Sequence, residues 1–254
     1  MPNKIRLLFR DKSQNDLIEV WQQQELRWLS INTIEQSRIS IEQPDCLVSP
    51  LSRAFLAVLL FIETPSTVLL AGLGGGELAR YLHHKKPAIK GDAVEINATI
   101  AGFAKQYFQF PEAPWNLIVD DIQQWQGNHY DLIVVDIADG ELTPAWLTGE
   151  AMLLQFKQQL SANGVLAINL LVNDAQSLSH HLVTIREIFE CRTLCLSVPD
   201  HKNIVVFAFN RQPRYRSIDA LNSRLSEVTK TWDLDFNNML KQLQKDNPVG
   251  SGVF

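Results

Sequence analysis

TVLLAGLGGGELARYLHHKK, residues 67–86, decides how the rest of the chain is read. Its opening, TVLLAGL, is a continuous apolar run, the pattern of a strand buried on both faces of a parallel sheet. Four glycines follow within five positions, and ELARYLHHKK then reads as a helix that Pro87 ends. Glycine lets the backbone turn sharply and come close to a ligand with no Cβ in the way. The helix N-terminus beyond adds amide donors and partial positive charge. Gly72-Leu73-Gly74-Gly75-Gly76-Glu77 is therefore the first candidate binding element, with Gly72, Gly74, Gly75 and Gly76 as its contacts. A dinucleotide fingerprint would carry glycine where Glu77 stands, so the pattern suits a nucleoside with an amino-acid tail better than a pyrophosphate. A glycine-rich turn without any ligand is the plain alternative.

Outward from this turn, strands and helices alternate. IKGDAVEI and ATIAGFAKQYF supply the next strand and helix. NLIVD, YDLIVVD and GVLAINLLV read as further strands, with helical stretches in QQW and AWLTGEAMLLQFKQQL between them. After a helix in SLSHHLVTIREIF, the runs TLCLSV and NIVVFAFN are separated only by PDHK and should pair as an antiparallel hairpin. The expectation is α/β: a doubly wound, mostly parallel Rossmann-like sheet ending in that hairpin. Upstream, IRLLF, LIEVW, RWLSI and SRISI predict a small antiparallel β-rich appendage over residues 1–48. The nucleoside-binding domain then spans 49–212, opened by a helix in SPLSRAFLAVLLFIE, and 213–254 holds two amphipathic helices and a tail expected to be mobile. Trp21 and Trp28 are assigned to the appendage core, Trp115 and Trp146 to loop packing.

The chain has 254 residues, enough to bury a core without staples, and its net charge of −5 provides no general field for nucleic acid or an anionic membrane. The most apolar run, Ala54 to Ile62, is too short to span a bilayer, and MPNKIRLLFRDKS lacks the apolar centre of a signal peptide. A soluble cytoplasmic protein is expected, with no nucleic-acid or membrane partner. Cys46, Cys191 and Cys195 fit no disulfide framework and are read as buried reduced thiols. His83-His84 and His180-His181 are read as surface residues, and no metal is expected. Arg211, Arg214 and Arg216 form a basic knot read as solvated surface.

Three carboxylate positions stand at strand ends, where open α/β sheets bind ligands. Glu95 closes DAVEI, nineteen positions after Gly76, where it would accept the ribose hydroxyls; capping the next helix is its alternative, for which Asn97 serves equally well. Asp120-Asp121 would take an exocyclic adenine amine or cap a short helix, and the two readings stand level. Asp136 and Asp139, in Asp136-Ile137-Ala138-Asp139-Gly140, would face one crevice and hold or deprotonate an amine. Asp136 is the stronger catalytic candidate because a buried strand end is a costly place for an idle carboxylate. Asp139 alternatively only shapes a turn with Gly140.

In this order the features resemble those of the spermidine synthases, the polyamine aminopropyltransferases within the class I S-adenosylmethionine-dependent methyltransferase superfamily, over roughly residues 15 to 210. The family's G-G-G-D-G-G is similar to residues 72–77, its ribose-binding Glu matches Glu95 in VEIN, its adenine-contacting segment matches Asp121, and its D-x-x-D matches Asp136 and Asp139. The resemblance implies S-adenosylmethionine or its decarboxylated form as donor, a small amine acceptor such as a polyamine, and a homodimer contact through the β appendage. Two departures count. The family's glycine-loop Asp, which repels the carboxylate of the ordinary donor, falls on Gly75; such a repulsion at about 4 Å is on the order of 4 kcal/mol. The acceptor-holding Tyr-x-Glu falls on Ser49-Pro50-Leu51, although Glu141 and Glu150 remain as other carboxylate sources. Transfer of a methyl group is therefore favoured over an aminopropyl group, with a non-catalytic nucleoside-binding or dimerising homologue as the third reading.

Overall fold

A computed structural model describes residues 4–13, 16–127, 129–140 and 142–254. Two sheets organise it. The first is an antiparallel meander of β1 (Arg6–Ser13), β2 (Asp16–Gln23), β3 (Leu26–Ile31) and β4 (Ile34–Ser40). The second has seven strands: β5 (Thr67–Ala71), β6 (Lys90–Glu95), β7 (Trp115–Val119), β8 (Tyr130–Val135), β9 (Leu160–Leu171), β10 (Thr193–Ser197) and β11 (Asn203–Phe209). Its order is β10-β11-β9-β8-β5-β6-β7. The five strands β5 to β9 pair in parallel, and β11 pairs antiparallel with both β9 and β10. The alternating pattern and the terminal hairpin are as the sequence predicts.

Helix α1 (Pro50–Phe55) is capped by the Ser49 hydroxyl and continues as a 3₁₀ segment, Leu56–Leu60. Helices α2 (Glu77–Lys85), α3 (Ala98–Tyr107), α4 (Glu150–Gln159) and α5 (Ala175–Ile188) connect the strands, and α6 (Ile218–Trp232) and α7 (Phe236–Asp246) close the fold. One sheet face packs Leu132, Val134, Val165 and Ala167 against the 3₁₀ segment, α6 and α7. The other packs Ile133, Val135, Ile168 and Leu170 against α4 and α5. The small sheet lays Ile18, Val20, Leu29 and Ile39 on Ile100, Phe103 and Phe108, so α3 is shared between the two sheets. Each such side chain contributes about 1.5–3 kcal/mol when fully buried.

Several local expectations are corrected. QQW forms one turn, with Gln124 and Trp125 N–H donating to the Asp121 carbonyl, because the apolar repeat is too short to pack a helix. Trp21 and Trp28 are half-buried and pair across β2 and β3 on the face opposite Val20 and Leu29, since neighbouring strand residues alternate faces. Trp115 belongs to β7 and is buried. Cys46 and Cys191 are exposed, Cys191 in a left-handed turn before β10; only Cys195 is half-buried, and burial pushes its thiol up to about 11. His181 is buried with Nδ1 2.7 Å from the Thr148 hydroxyl, and burial lowers its pKa. The tail is docked: Val253 is 4% exposed, the Phe254 ring lies 6.1 Å from Phe61, and Arg186 donates to the Ser251 carbonyl at 2.8 Å. Asn247 meanwhile bonds both the N–H and carbonyl of Cys195, covering the free edge of β10.

Candidate functional site

The turn between β5 and α2 sits at the carboxyl edge of the parallel strands. Gly72 has φ +83°, and a Cβ there would overlap the Asp136 carbonyl oxygen, so this position admits only glycine without a shift of backbone. Gly75 is covered from outside: a Cβ would overlap the Ser37 hydroxyl of β4 and press on Phe108. The appendage thus closes directly over the glycine turn. Arg80 of α2 holds the turn from beneath. Its Nη1 donates to the Gly75 carbonyl and, at 2.7 Å, to that of Phe108, and its Nε donates to Pro44 at 3.0 Å. Burial lowers this guanidinium to about 10.

A crevice of about 420 Å³ runs along this edge, within the range of small-molecule sites. Gly72, Leu73, Gly74, Glu95, Asp120, Asp121 and Asp136 line it, with Leu29, Ile31 and Gln36 from the small sheet and Trp146 from the loop before α4. A recess of about 130 Å³ continues it, sharing Gln36, Gly72, Leu73, Gly74 and Asp136 and adding Ser37, Arg38, Ser49, Ser52, Gly76 and Glu77. Of the sequence-predicted residues, Gly75 and Asp139 line neither part. Asp139 is exposed and forms an isolated bridge with Leu142, so the two carboxylates of the D-x-x-D pattern do not converge. Glu150 opens α4, is exposed and lies off the lining, while Glu141 falls outside the described residues.

Glu95 is 8% exposed, with Oε2 accepting from Leu73 N–H at 3.2 Å and Oε1 from Asn97 N–H at 2.9 Å. Burial raises its pKa, against those amide bonds. Asn97 itself caps α3 through Oδ1, to Thr99 N–H at 2.9 Å and Ile100 N–H at 3.3 Å, so capping is not the task of Glu95. Asp120 and Asp121 both reach the crevice while serving local turns, Asp120 Oδ1 accepting from Asp121 N–H and Asp121 Oδ1 from Gln123 N–H. Asp136 follows Val134 on its strand face. Contrary to the expectation of a buried strand end, Asp136 is exposed and open to both crevice and recess. The protein packed around its carboxylate still desolvates it and raises its pKa, opposed by the Asn169 Nδ2 donation at 3.0 Å. Glu77 is turned to structure, Oε1 accepting from the N–H groups of Val48 and Ser49.

Chemically, the crevice offers carboxylates and an apolar wall, and the recess adds one cation, Arg38, whose Nε and Nη2 meet Glu35 at 2.8 and 2.6 Å. Sequence reasoning missed Gln36, Ser37 and Arg38, because a strand of the appendage gives no sign of which turn it covers. It also missed Asn169, although one amide inside the apolar GVLAINLLV was a usable signal.

No protein-family model matches the chain. The polyamine aminopropyltransferase of Neisseria meningitidis serogroup A is 31% identical over 220 residues, covering 84% of this chain and 83% of that protein. A mouse eEF1A lysine and N-terminal methyltransferase is 30% identical over 158 residues, covering 57% of this chain but 22% of that much longer protein. A crystal structure described as a probable spermidine synthase from Corynebacterium glutamicum superposes with a TM-score of 0.75 at 20% identity, covering 87% of this chain and 86% of that one, which carries the fold.

Proposed function

The chain belongs to the polyamine aminopropyltransferase family, and we propose that this S-adenosylmethionine-type transferase uses its carboxyl-edge crevice to transfer a methyl group from ordinary S-adenosylmethionine to a small nucleophile. When bound, the donor supplies an electrophilic carbon beside a sulfonium. The residues fit such a molecule: Gly72, Leu73 and Gly74 of the turn line the crevice, and Glu95 stands at the next strand end, where its carboxylate lines the crevice and can accept a ribose hydroxyl. Asp120 and Asp121 lie where an exocyclic adenine amine would find an acceptor. Asp136 faces the junction of crevice and recess, so it is assigned to orient the acceptor and take its proton. Asp139 has no part in this reading.

One observation carries the choice of donor. Position 75, next to the recess-lining Gly74 and Gly76, carries glycine instead of the family's carboxylate; the recess's Glu77 is held by two backbone amides, and its cation, Arg38, is paired with Glu35. A donor that keeps its carboxylate escapes the repulsion of an Asp at position 75 and can share the Arg38 guanidinium with Glu35, an interaction closed to the decarboxylated form. The family's named activity favours the second reading, aminopropyl transfer from decarboxylated S-adenosylmethionine to an amine, with Asp136 again as base. Calorimetric titration with each donor separates the two: tighter binding of the ordinary form supports methyl transfer, and tighter binding of the decarboxylated form overturns it.

A further inference from the structure

On the sheet face covered by α6 and α7, three neighbouring strands each end in a polar side chain at the carboxyl edge. Leu132 and Val134 of β8 lead to Asp136 just past its end, and Val165 and Ala167 to Asn169 on β9. On antiparallel β11, Phe207 and Val205 lead back to Asn203. Asn203 Nδ2 donates to Asn169 Oδ1 at 3.0 Å, and Asn169 Nδ2 donates to Asp136 Oδ1 at 3.0 Å. Asn169 is 3% exposed and does not reach the crevice lining. An ionised carboxylate only accepts, so Asn169 must turn its NH₂ toward Asp136 and its oxygen toward Asn203, which must then donate. The Asp136 end thus sets the polarity of the whole chain, and the Asn203 donation completes it.

We propose that Asn169 and Asn203 are positioning residues: Asn203 locks the Asn169 amide with its N–H toward Asp136, which keeps that carboxylate aimed into the crevice and able to accept a proton. This rests on the role assigned to Asp136 above. Without Asn203, a half-turn of the Asn169 amide would set its oxygen against the carboxylate and favour protonation of Asp136. The other charged groups of the crevice and recess are Arg38 and Glu77 on the recess side and Glu95, Asp120 and Asp121 on the crevice side, with Asp139 three residues beyond; none bonds Asp136.

The test follows the Asp136 carboxyl by carbon NMR across pH in the free protein, so it does not depend on the donor or acceptor. Asn169→Leu should raise its pKa by about one unit. Asn203→Asp, which offers Asn169 an acceptor and inverts the chain, should raise it comparably, and Asn203→Leu by about half a unit. In an Asn169→Leu background both Asn203 effects should largely vanish, which separates the relay from the plain field of a new charge. Titrations within about 0.2 unit of wild type, or Asn203 effects that persist in full without Asn169, overturn the proposal. Should Asn203→Asp fail to fold by circular dichroism, Asn203→Leu decides alone. The acid limb of kcat should move with the carboxyl titration while KM for the donor holds. A carboxyl that shifts without moving that limb retains the relay but removes Asp136 from proton transfer, and so overturns its service to catalysis.

Discussion

The two edges of the central sheet both carry a cavity with carboxylates, and they use them in opposite ways. At the edge opposite the glycine turn, a cavity of about 370 Å³ is lined by Phe61, Glu63, Asp131, Phe209, Arg214 and Tyr215, among others. Glu63 accepts from the Tyr215 hydroxyl at 2.7 Å and lies 3.7 Å from Arg214. Arg224 stacks 3.7 Å from the Tyr215 ring centroid and donates to the Leu60 and Ile62 carbonyls. Asp131 accepts from Ser66 and Thr67 N–H and from the Ser161 hydroxyl. These groups answer one another. At the glycine edge, Asp136 and Glu95 meet only uncharged amides, and burial raises both pKa values. A cavity of similar volume is thus not a similar site: at the glycine edge burial raises the pKa of two lining carboxylates, whereas at the opposite edge Glu63 has Arg214 and Tyr215 beside it and Asp131 is held by three donors.

Asp136→Asn should break the contrast most. Turnover is expected to fall about 10²–10⁴-fold with donor affinity nearly unchanged, and undiminished turnover removes Asp136 from the mechanism. In the wild type, burial raises this carboxyl above the usual aspartate range, so turnover should fall as pH drops through that raised value and the carboxylate takes up a proton; an acid limb at ordinary aspartate pH would contradict the assignment.

Arg80→Lys comes next. An ammonium cannot reach the Pro44, Gly75 and Phe108 carbonyls together, and a loss of about 2–3 kcal/mol in urea unfolding is expected. Retained stability would show that the glycine turn does not depend on this clamp. Arg38→Gln should weaken ordinary S-adenosylmethionine about tenfold and leave the decarboxylated donor unchanged, read by calorimetry; equal losses would detach Arg38 from donor choice. The smallest effect belongs to the opposite edge, where Tyr215→Phe should change stability by less than about 1 kcal/mol and turnover not at all, because its bond to Glu63 is exposed. A drop in turnover there would end the contrast between the edges.

Gly75→Asp, which would return the family's carboxylate to the glycine turn, meets an obstacle invisible in the sequence. Ser37 and Phe108 occupy the space of its Cβ, so the substitution sharpens the question of donor choice only when paired with Ser37→Gly. In that pair, preference should move toward the decarboxylated donor, and an unchanged preference would sink the reading of position 75.

Much of the fold lies in local pattern. Apolar runs of strand length, a glycine cluster opening a helix, Pro87 ending it and the short PDHK link are decided by residues close in the chain, so the alternation and the terminal hairpin follow from sequence alone. The carboxylates at strand ends follow too, because strands of known direction in a parallel sheet share one edge. Which of those carboxylates converge was a different matter. Asp136 and Asp139 are three residues apart, yet one turn of backbone puts the second outside the crevice. Asp136 instead meets Asn169, 33 positions along the chain, and through it Asn203, 67 positions along, by strand order and register. Gln36, Ser37 and Arg38 reach the site because the small sheet packs on α3 beside the glycine turn. Sequence fixes what each segment prefers over a few residues; side chains brought together by packing and sheet register depend on contacts between distant segments, and those exist only in the tertiary structure.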